Sequence, residues 1–216
     1  MLNIQEIKDN QTIVQNKYNT LILSFSLRKD SQSAKIARHL SSELSNKDCK
    51  NKVIDMFEIQ LPLWSEHVWK GQYPAQFTLI KERLELATSL ILITPEYNGA
   101  ASPSLHNFLL YLKGHNFTPT LIVSVSSGRS GSYPISELRS YGNKNTKVNI
   151  IPEHIIVRDC NNVLNEIVDT NSKEDIFLRD RISYTLDVLN IYQKAFVNIK
   201  EEIKNLNPSP AFTNGM

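Results

Sequence analysis

Glycine is scarce, seven in 216 residues. Neither G-x-G-x-x-G nor G-x-x-x-x-G-K-[ST] occurs, which removes the glycine-built dinucleotide fingerprint and the nucleoside triphosphate loop. The run GRSGS at 128–132 does not fit G-x-S-x-G, so a hydrolase elbow is disfavoured too. Cysteine is scarcer still. Cys49 and Cys160 are far apart, and neither has Cys or His beside it at metal-ligand spacing. Free thiols in a reducing compartment are the expectation. Charge of one sign is also missing: 24 basic and 22 acidic side chains are mixed along the chain, for a net charge of +2, so no basic run tracks a phosphate backbone. No apolar run reaches the roughly 20 residues of a membrane span. The opening MLNIQEIKDNQTIVQNKYNT has neither a secretory apolar region nor the character of a transit peptide. A cytoplasmic protein with no nucleic-acid or membrane partner is expected.

What is present is the alternation of an α/β chain. With 41% hydrophobic residues, a length of 216 suffices to bury one full core. Apolar or β-branched runs at 20–24, 52–56, 89–94, 120–125 and 148–157 read as strands, most of them apolar at consecutive positions, as strands covered on both faces should be. Between them, helical spacing appears at 33–44, 74–87 and 102–112, and more weakly at 130–145. The pattern predicts a doubly wound parallel sheet. After a polar stretch, Ile182, Leu186, Leu189, Phe196, Ile199 and Ile203 form the stripe of one long closing helix. The reading is a single domain, with a core over about 20–158 and a C-terminal helical extension over about 172–205.

The stretch LILSFSLRKDSQSAKIARHL passes from strand to helix through a turn of hydroxyls and charge. In a doubly wound sheet that first turn is the usual phosphate seat. Ser26, Ser31 and Ser33 offer hydroxyls, Arg28 offers a guanidinium fork, and the helix N-terminus offers orphan N–H groups. The competing reading is a helix N-cap at Ser31 or Ser33 with Arg28 a solvated charge.

Two further strand ends carry chemistry. After the third strand, 94–99 combines a rigid proline, an acid, an aromatic ring and an amide in TPEYNG, where Tyr97 suits a flat ring system. After the fourth, 126–132 is rich in glycine and serine and permits close backbone approach to a planar ligand.

SLRKDSQS, TPEYNG with SLHN, and SSGRSG, each after a strand and in this order, resemble the NADPH-dependent FMN reductase family. The resemblance runs from about residue 21 to 157 and implies a flavodoxin-like fold, a five-stranded parallel sheet of order 2-1-3-4-5 with helices on both faces. It implies bound FMN, with Ser26, Arg28, Ser31 and Ser33 at the phosphate, Pro95, Glu96, Tyr97 and Asn98 along the ribityl chain and ring, and Ser126, Ser127 and Gly128 along the ring edge. The implied activity passes hydride from NADPH or NADH through FMN to a small acceptor, namely a quinone, an azo compound, free flavin or a metal oxyanion. No protein acid or base is needed and no metal is implied. A homodimer or homotetramer is implied as well.

The chain departs from the family pattern in three places. Ser24 and Phe25 precede Ser26 where the family has glycine, His106 stands for a customary lysine, and Leu110 for an aspartate. Trp64 and Trp69 fall in a loop that lies near a neighbouring active site in dimeric relatives; an apolar cover over the sheet edge is the competing reading. His39, His67, His115 and His154 are scattered, and each reads as satisfied or solvated. A non-enzymatic flavin electron carrier, or a flavin or redox sensor, is the alternative function.

Overall fold

Strand β1 (Thr20–Ser24) shows why the apolar runs are continuous. Leu21 and Leu23 enter one core while Ile22 between them enters another, because successive side chains leave a strand on opposite faces and both faces are covered. The same division holds in β3 (Ser89–Tyr97), with Leu90 and Leu92 on the first side and Ile91 and Ile93 on the second. The structure, a computed structural model, describes residues 19–112, 118–144 and 146–206. The N-terminal segment 1–18, His115, Asn145 and the tail 207–216 lie outside the described residues.

The remaining strands are β2 (Asn51–Asp55), β4 (Ala100–Ala101), β5 (Pro119–Val125) and β6 (Asn149–Val157). Five of the six strands form a parallel sheet in the order β2-β1-β3-β5-β6. Counting parallel strands alone, this is the expected 2-1-3-4-5 order. The helices are α1 (Gln32–Asn46), α2 (Met56–Ile59), α3 (Glu66–Trp69), α4 (Ala75–Leu86), α5 (Pro103–Tyr111), α6 (Tyr133–Tyr141) and α7 (Lys173–Asn205). α4, α5 and α6 cover one face through residues such as Ile80, Phe108 and Leu138. α1 and α7 cover the other through Ile36, Leu40, Ile182, Leu186 and Leu189.

Several boundaries differ from the sequence expectation. β2 ends one residue early because the Asp55 carboxylate accepts a hydrogen bond from the Phe57 N–H at 3.2 Å, capping α2 at Met56. β3 runs three residues past Thr94, so Pro95, Glu96 and Tyr97 belong to a strand rather than a loop. Asn98 and Gly99 then both take positive φ, 51° and 78°, and turn the chain into β4 as a two-residue hairpin, with Glu96 opposite Ala101 and Tyr97 opposite Ala100. Between β5 and β6 the register slips after Thr120. The Arg139 guanidinium donates to the carbonyls of Ile151, Pro152 and Glu153 there, at 3.0, 2.6 and 3.3 Å, and so satisfies acceptors that the irregular ladder leaves over.

Candidate active site

All five parallel strands point their carboxyl ends to one edge, and the order reverses between β1 and β3, where a ligand crevice belongs. A cavity of about 240 Å³ opens there. Ser26, Arg28, Ser31, Ser33, Pro95, Glu96, Tyr97 and Ser127 line it, as do Lys29, Asp30, Gln32, Val125, Cys160 and Asn161. Asn98, Ser126 and Gly128, also named from the sequence, do not line it. Asn98 occupies the hairpin corner, and the Ser126 hydroxyl accepts from the Gly128 N–H at 3.3 Å.

The first wall is the turn between β1 and α1. Ser26 is buried, and its hydroxyl accepts from the Arg28 N–H at 3.3 Å. Asp30 bends the chain with φ of 51°, a conformation that short polar side chains tolerate without glycine. Ser31 is the N-cap of α1, its hydroxyl oxygen accepting from the Ala34 N–H at 3.1 Å. A capping hydroxyl still has its hydrogen to donate, so capping and anion binding are compatible at Ser31. The Arg28 guanidinium makes no ion pair among the described residues. One carboxamide atom of Gln32 is buried without a hydrogen-bond partner, and the amide can be read in either orientation.

Hydrogen bonds tie each wall to the next. The Ser26 hydroxyl lies 3.3 Å from the Tyr97 phenol, joining the first wall to the end of β3. The Ser130 hydroxyl donates to Glu96 at 2.7 Å, joining β3 to the loop after β5. That loop joins the loop after β6: the Asp159 N–H donates to the Gly128 carbonyl at 3.0 Å, and the Cys160 N–H to the Ser126 carbonyl at 3.2 Å. Arg158 adds bonds to the carbonyls of Arg129 and Ser130, at 2.8 and 2.9 Å. The Lys35 ammonium, on the first turn of α1, donates to the carbonyls of Cys160 and Val163 at 2.6 and 2.9 Å and to the Asn165 side chain at 3.0 Å, which closes the circuit.

This fourth wall was missed in the sequence. Cys160 and Asn161 follow β6, and only the parallel topology places them beside the first turn. Burial lowers the Lys35 ammonium below its ordinary value and raises the Cys160 thiol above its own. A neutral Cys160 thiol is therefore a wall rather than a nucleophile. Behind the wall, Asp175 of α7 accepts from the Leu164 N–H at 2.7 Å and from Arg179 at 3.0 Å. Gly131, with φ of 107°, seats the third loop on β6, since a Cβ there would stand 2.6 Å from Ile156 Cγ2.

The departures on α5 have structural partners. His106 Nε2 lies 3.3 Å from a Glu137 carboxylate oxygen and its Nδ1 lies 2.5 Å from the Tyr141 hydroxyl. The second Glu137 oxygen accepts from the Ala101 N–H at 2.7 Å, so the trio on α5 and α6 holds the hairpin that follows Tyr97. Burial, reinforced by Glu137, pushes the Tyr141 phenol up to about 12. Asn107 is buried; it accepts from the Trp64 N–H at 2.7 Å and donates to the Pro62 carbonyl at 2.8 Å, pinning the tryptophan loop. Leu110 faces outward, 57% exposed.

Among the described residues, no cluster of His, Cys, Asp or Glu suits a metal ion, and no helix is long and apolar enough to cross a membrane. A parallel sheet of this order, with an anion-suited first turn at its switch point, defines a flavodoxin-like protein. The chain belongs to the NADPH-dependent FMN reductase family, whose profile matches residues 18–160. A quinone reductase of Pseudomonas putida KT2440 is 28% identical over 122 residues, 54% of this chain and 64% of that relative, so the match spans under two thirds of the relative's length. Among solved structures, an oxidoreductase from Corynebacterium diphtheriae superposes with a TM-score of 0.64 at 15% identity, over 84% of this chain and 97% of the other. A flavoenzyme NAD(P)H:(acceptor) oxidoreductase from Paracoccus denitrificans gives a TM-score of 0.54 at 20% identity, over 86% and 98%. Both likenesses establish the fold.

Proposed function

We propose that this protein is an FMN-dependent NAD(P)H oxidoreductase that hands electrons to a small acceptor such as a quinone, an azo compound, free flavin or a metal oxyanion. The observation that carries the reading is the cavity at the switch point, where unpaired Arg28 and three serine hydroxyls face the N-terminus of α1. The donor set suits a phosphate monoester, and the unpartnered Gln32 amide atom suits a further polar group of the same ligand. A volume of about 240 Å³ is below the roughly 300–1,000 Å³ of a pocket that swallows a drug-sized molecule, so the phosphate end goes inside and the ring stays at the mouth.

In this reading Ser26, Arg28, Ser31 and Ser33 hold the phosphate, while Pro95, Glu96, Tyr97, Asn98, Ser126, Ser127 and Gly128 border the rest of FMN. When bound, FMN supplies the two-electron redox chemistry. The chain's residues bind and orient it and need donate no proton of their own. The region 20–158 and the helical extension 172–205 form one domain, because the extension's Asp175 helps hold a wall of the site. The chain works in the cytoplasm as a homodimer in which α5 and the loop at Trp64 meet a second copy.

The test is purification followed by a visible spectrum, FMN titration, and steady-state oxidation of NADPH and NADH with a panel of acceptors. About one FMN per chain and ping-pong kinetics support the reading. Absence of binding at micromolar FMN refutes it, and FMN binding without NAD(P)H oxidation leaves a carrier or sensor.

A further inference from the structure

Two arginines stand at the rim of the cavity without lining it. Arg129 follows Ser127 by two positions in the loop after β5, and Arg158 precedes Cys160 by two in the loop after β6. Ser127 and Cys160 line the cavity, whereas neither arginine does. Arg158 Nε donates to the carbonyls of Arg129 and Ser130 at 2.8 and 2.9 Å, which brings the two arginines to one place on the rim. The terminal nitrogens of Arg158 and the whole Arg129 guanidinium meet no acceptor or carboxylate among the described residues. The acids nearby have other partners: Glu96 accepts from the Ser130 hydroxyl at 2.7 Å, and the two Asp159 oxygens accept from the Asn162 amide at 3.1 and 3.0 Å. Neither forms an ion pair with either arginine.

The loop that presents Arg129 is fixed. Its Ser130 is tied to Glu96, its Gly128 carbonyl to the Asp159 N–H, and its Gly131 lies so close against Ile156 that no Cβ would fit. A cation carried on a fixed loop loses little freedom when it binds.

We propose that Arg129 and Arg158 together bind the 2′-phosphate of NADPH and so select it over NADH. On the reading of the protein as an FMN-dependent oxidoreductase, on which this inference rests, Arg28 is taken by the FMN phosphate. The rim guanidinia are then left for the anion of the second substrate. Two guanidinium forks match the three oxygens of a phosphate monoester, whereas a single fork already satisfies a carboxylate. NADPH differs from NADH by that one group, at the adenosine end of the molecule and remote from the nicotinamide. It therefore belongs outside the cavity, where these arginines are.

The test uses the full-length protein loaded with FMN. Calorimetric titration of wild type should show NADP+ binding more tightly than NAD+, and Arg129→Ala should narrow that gap on the order of tenfold. In steady state the ratio of kcat/KM for NADPH to that for NADH should fall by a similar factor, through KM rather than kcat. Arg129→Lys, which keeps the charge and loses the fork, should fall between wild type and Arg129→Ala. Arg158→Lys keeps a cation over the loop carbonyls and should lower the ratio as well. Equal affinities of wild type for NADP+ and NAD+, or an Arg129→Ala variant that keeps the wild-type ratio, would overturn the assignment and leave the oxidoreductase reading standing. A protein that oxidises neither nucleotide overturns that reading, and this inference with it.

Discussion

The hydroxyl of Ser26 and the phenol of Tyr97 lie 3.3 Å apart, a contact across 71 positions of sequence that links the first turn to the end of the central strand. It sets the mouth of the cavity. Tyr97→Phe removes one intramolecular hydrogen bond, so it should lower stability by about 1 kcal/mol, and it should also weaken FMN binding by loosening the mouth that this bond sets. Fluorescence titration of FMN into both proteins checks it. Equal affinities would mean that the contact does not shape the site.

In the proposed function Arg28 is the charge that holds the phosphate. Arg28→Ala should cost a charge-assisted hydrogen bond of roughly 1.5–3 kcal/mol, or about 10- to 150-fold in FMN affinity. Riboflavin, which lacks the phosphate, should scarcely respond. Lys29→Ala is the control and should change FMN binding by less than about threefold. Equal losses for FMN and riboflavin would assign Arg28 to the fold instead.

Asn107 holds the tryptophan loop through bonds in both directions, to Trp64 and to Pro62. Asn107→Ala leaves the part-buried Trp64 N–H unmatched, while the Pro62 carbonyl keeps the Tyr111 hydroxyl at 3.0 Å, and the change should destabilise the protein by about 1–3 kcal/mol. Trp64 reports the same event, with emission shifting to longer wavelength as its loop loosens. Urea unfolding and the emission maximum measure the two effects. A shift in neither shows that the loop is held elsewhere.

Asp175 gives the acid limb of stability. Burial would raise its carboxyl, but the Leu164 N–H and the Arg179 guanidinium outweigh burial and hold it below the ordinary value. A depressed carboxyl stabilises the fold fully above its unfolded value, near 3.9, and loses that contribution as pH falls through the lower folded value. Asp175→Asn should therefore cost about 1.5–3 kcal/mol from neutrality down to about pH 5, and the gap to wild type should narrow below about pH 4. Burial likewise lowers His39 and His154, whose contribution is lost as pH falls below the ordinary histidine value. The His154 contribution acts in both proteins and cancels in the difference, whereas the Asp175 charge offsets part of the lowering of His39, so in Asp175→Asn His39 is lowered further and adds to the gap as pH falls below the ordinary histidine value. Denaturant melts across this range check it; a gap that stays constant through acid contradicts the assignment.

The sheet was legible because burial on both faces writes each strand as an unbroken apolar run, as in Leu21 to Leu23 or Leu90 to Ile93. The first turn was legible through Ser26 and Arg28, whose residue types suit only a few roles at a strand end. Elements of four residues or fewer were not. α2 and α3 are too short to show a period, and β4 is two residues long. The Asn98-Gly99 pair signals a hairpin, but beside Tyr97 it was read as part of a ligand loop. The wall from Cys160 to Asn161 has no signature of its own, being made of turn residues brought to the site by strand order.

The circuit from Ser26 through Tyr97, Glu96, Ser130, Asp159 and Lys35 has a kinetic consequence. Each segment around the mouth is already held by its neighbours, so a ligand entering there has little chain left to order, and its binding energy is not spent on closing loops. Arrival is then limited by encounter, and escape requires every ligand contact to break against a frame that does not yield. The flavin should leave slowly, and the protein should emerge from purification yellow.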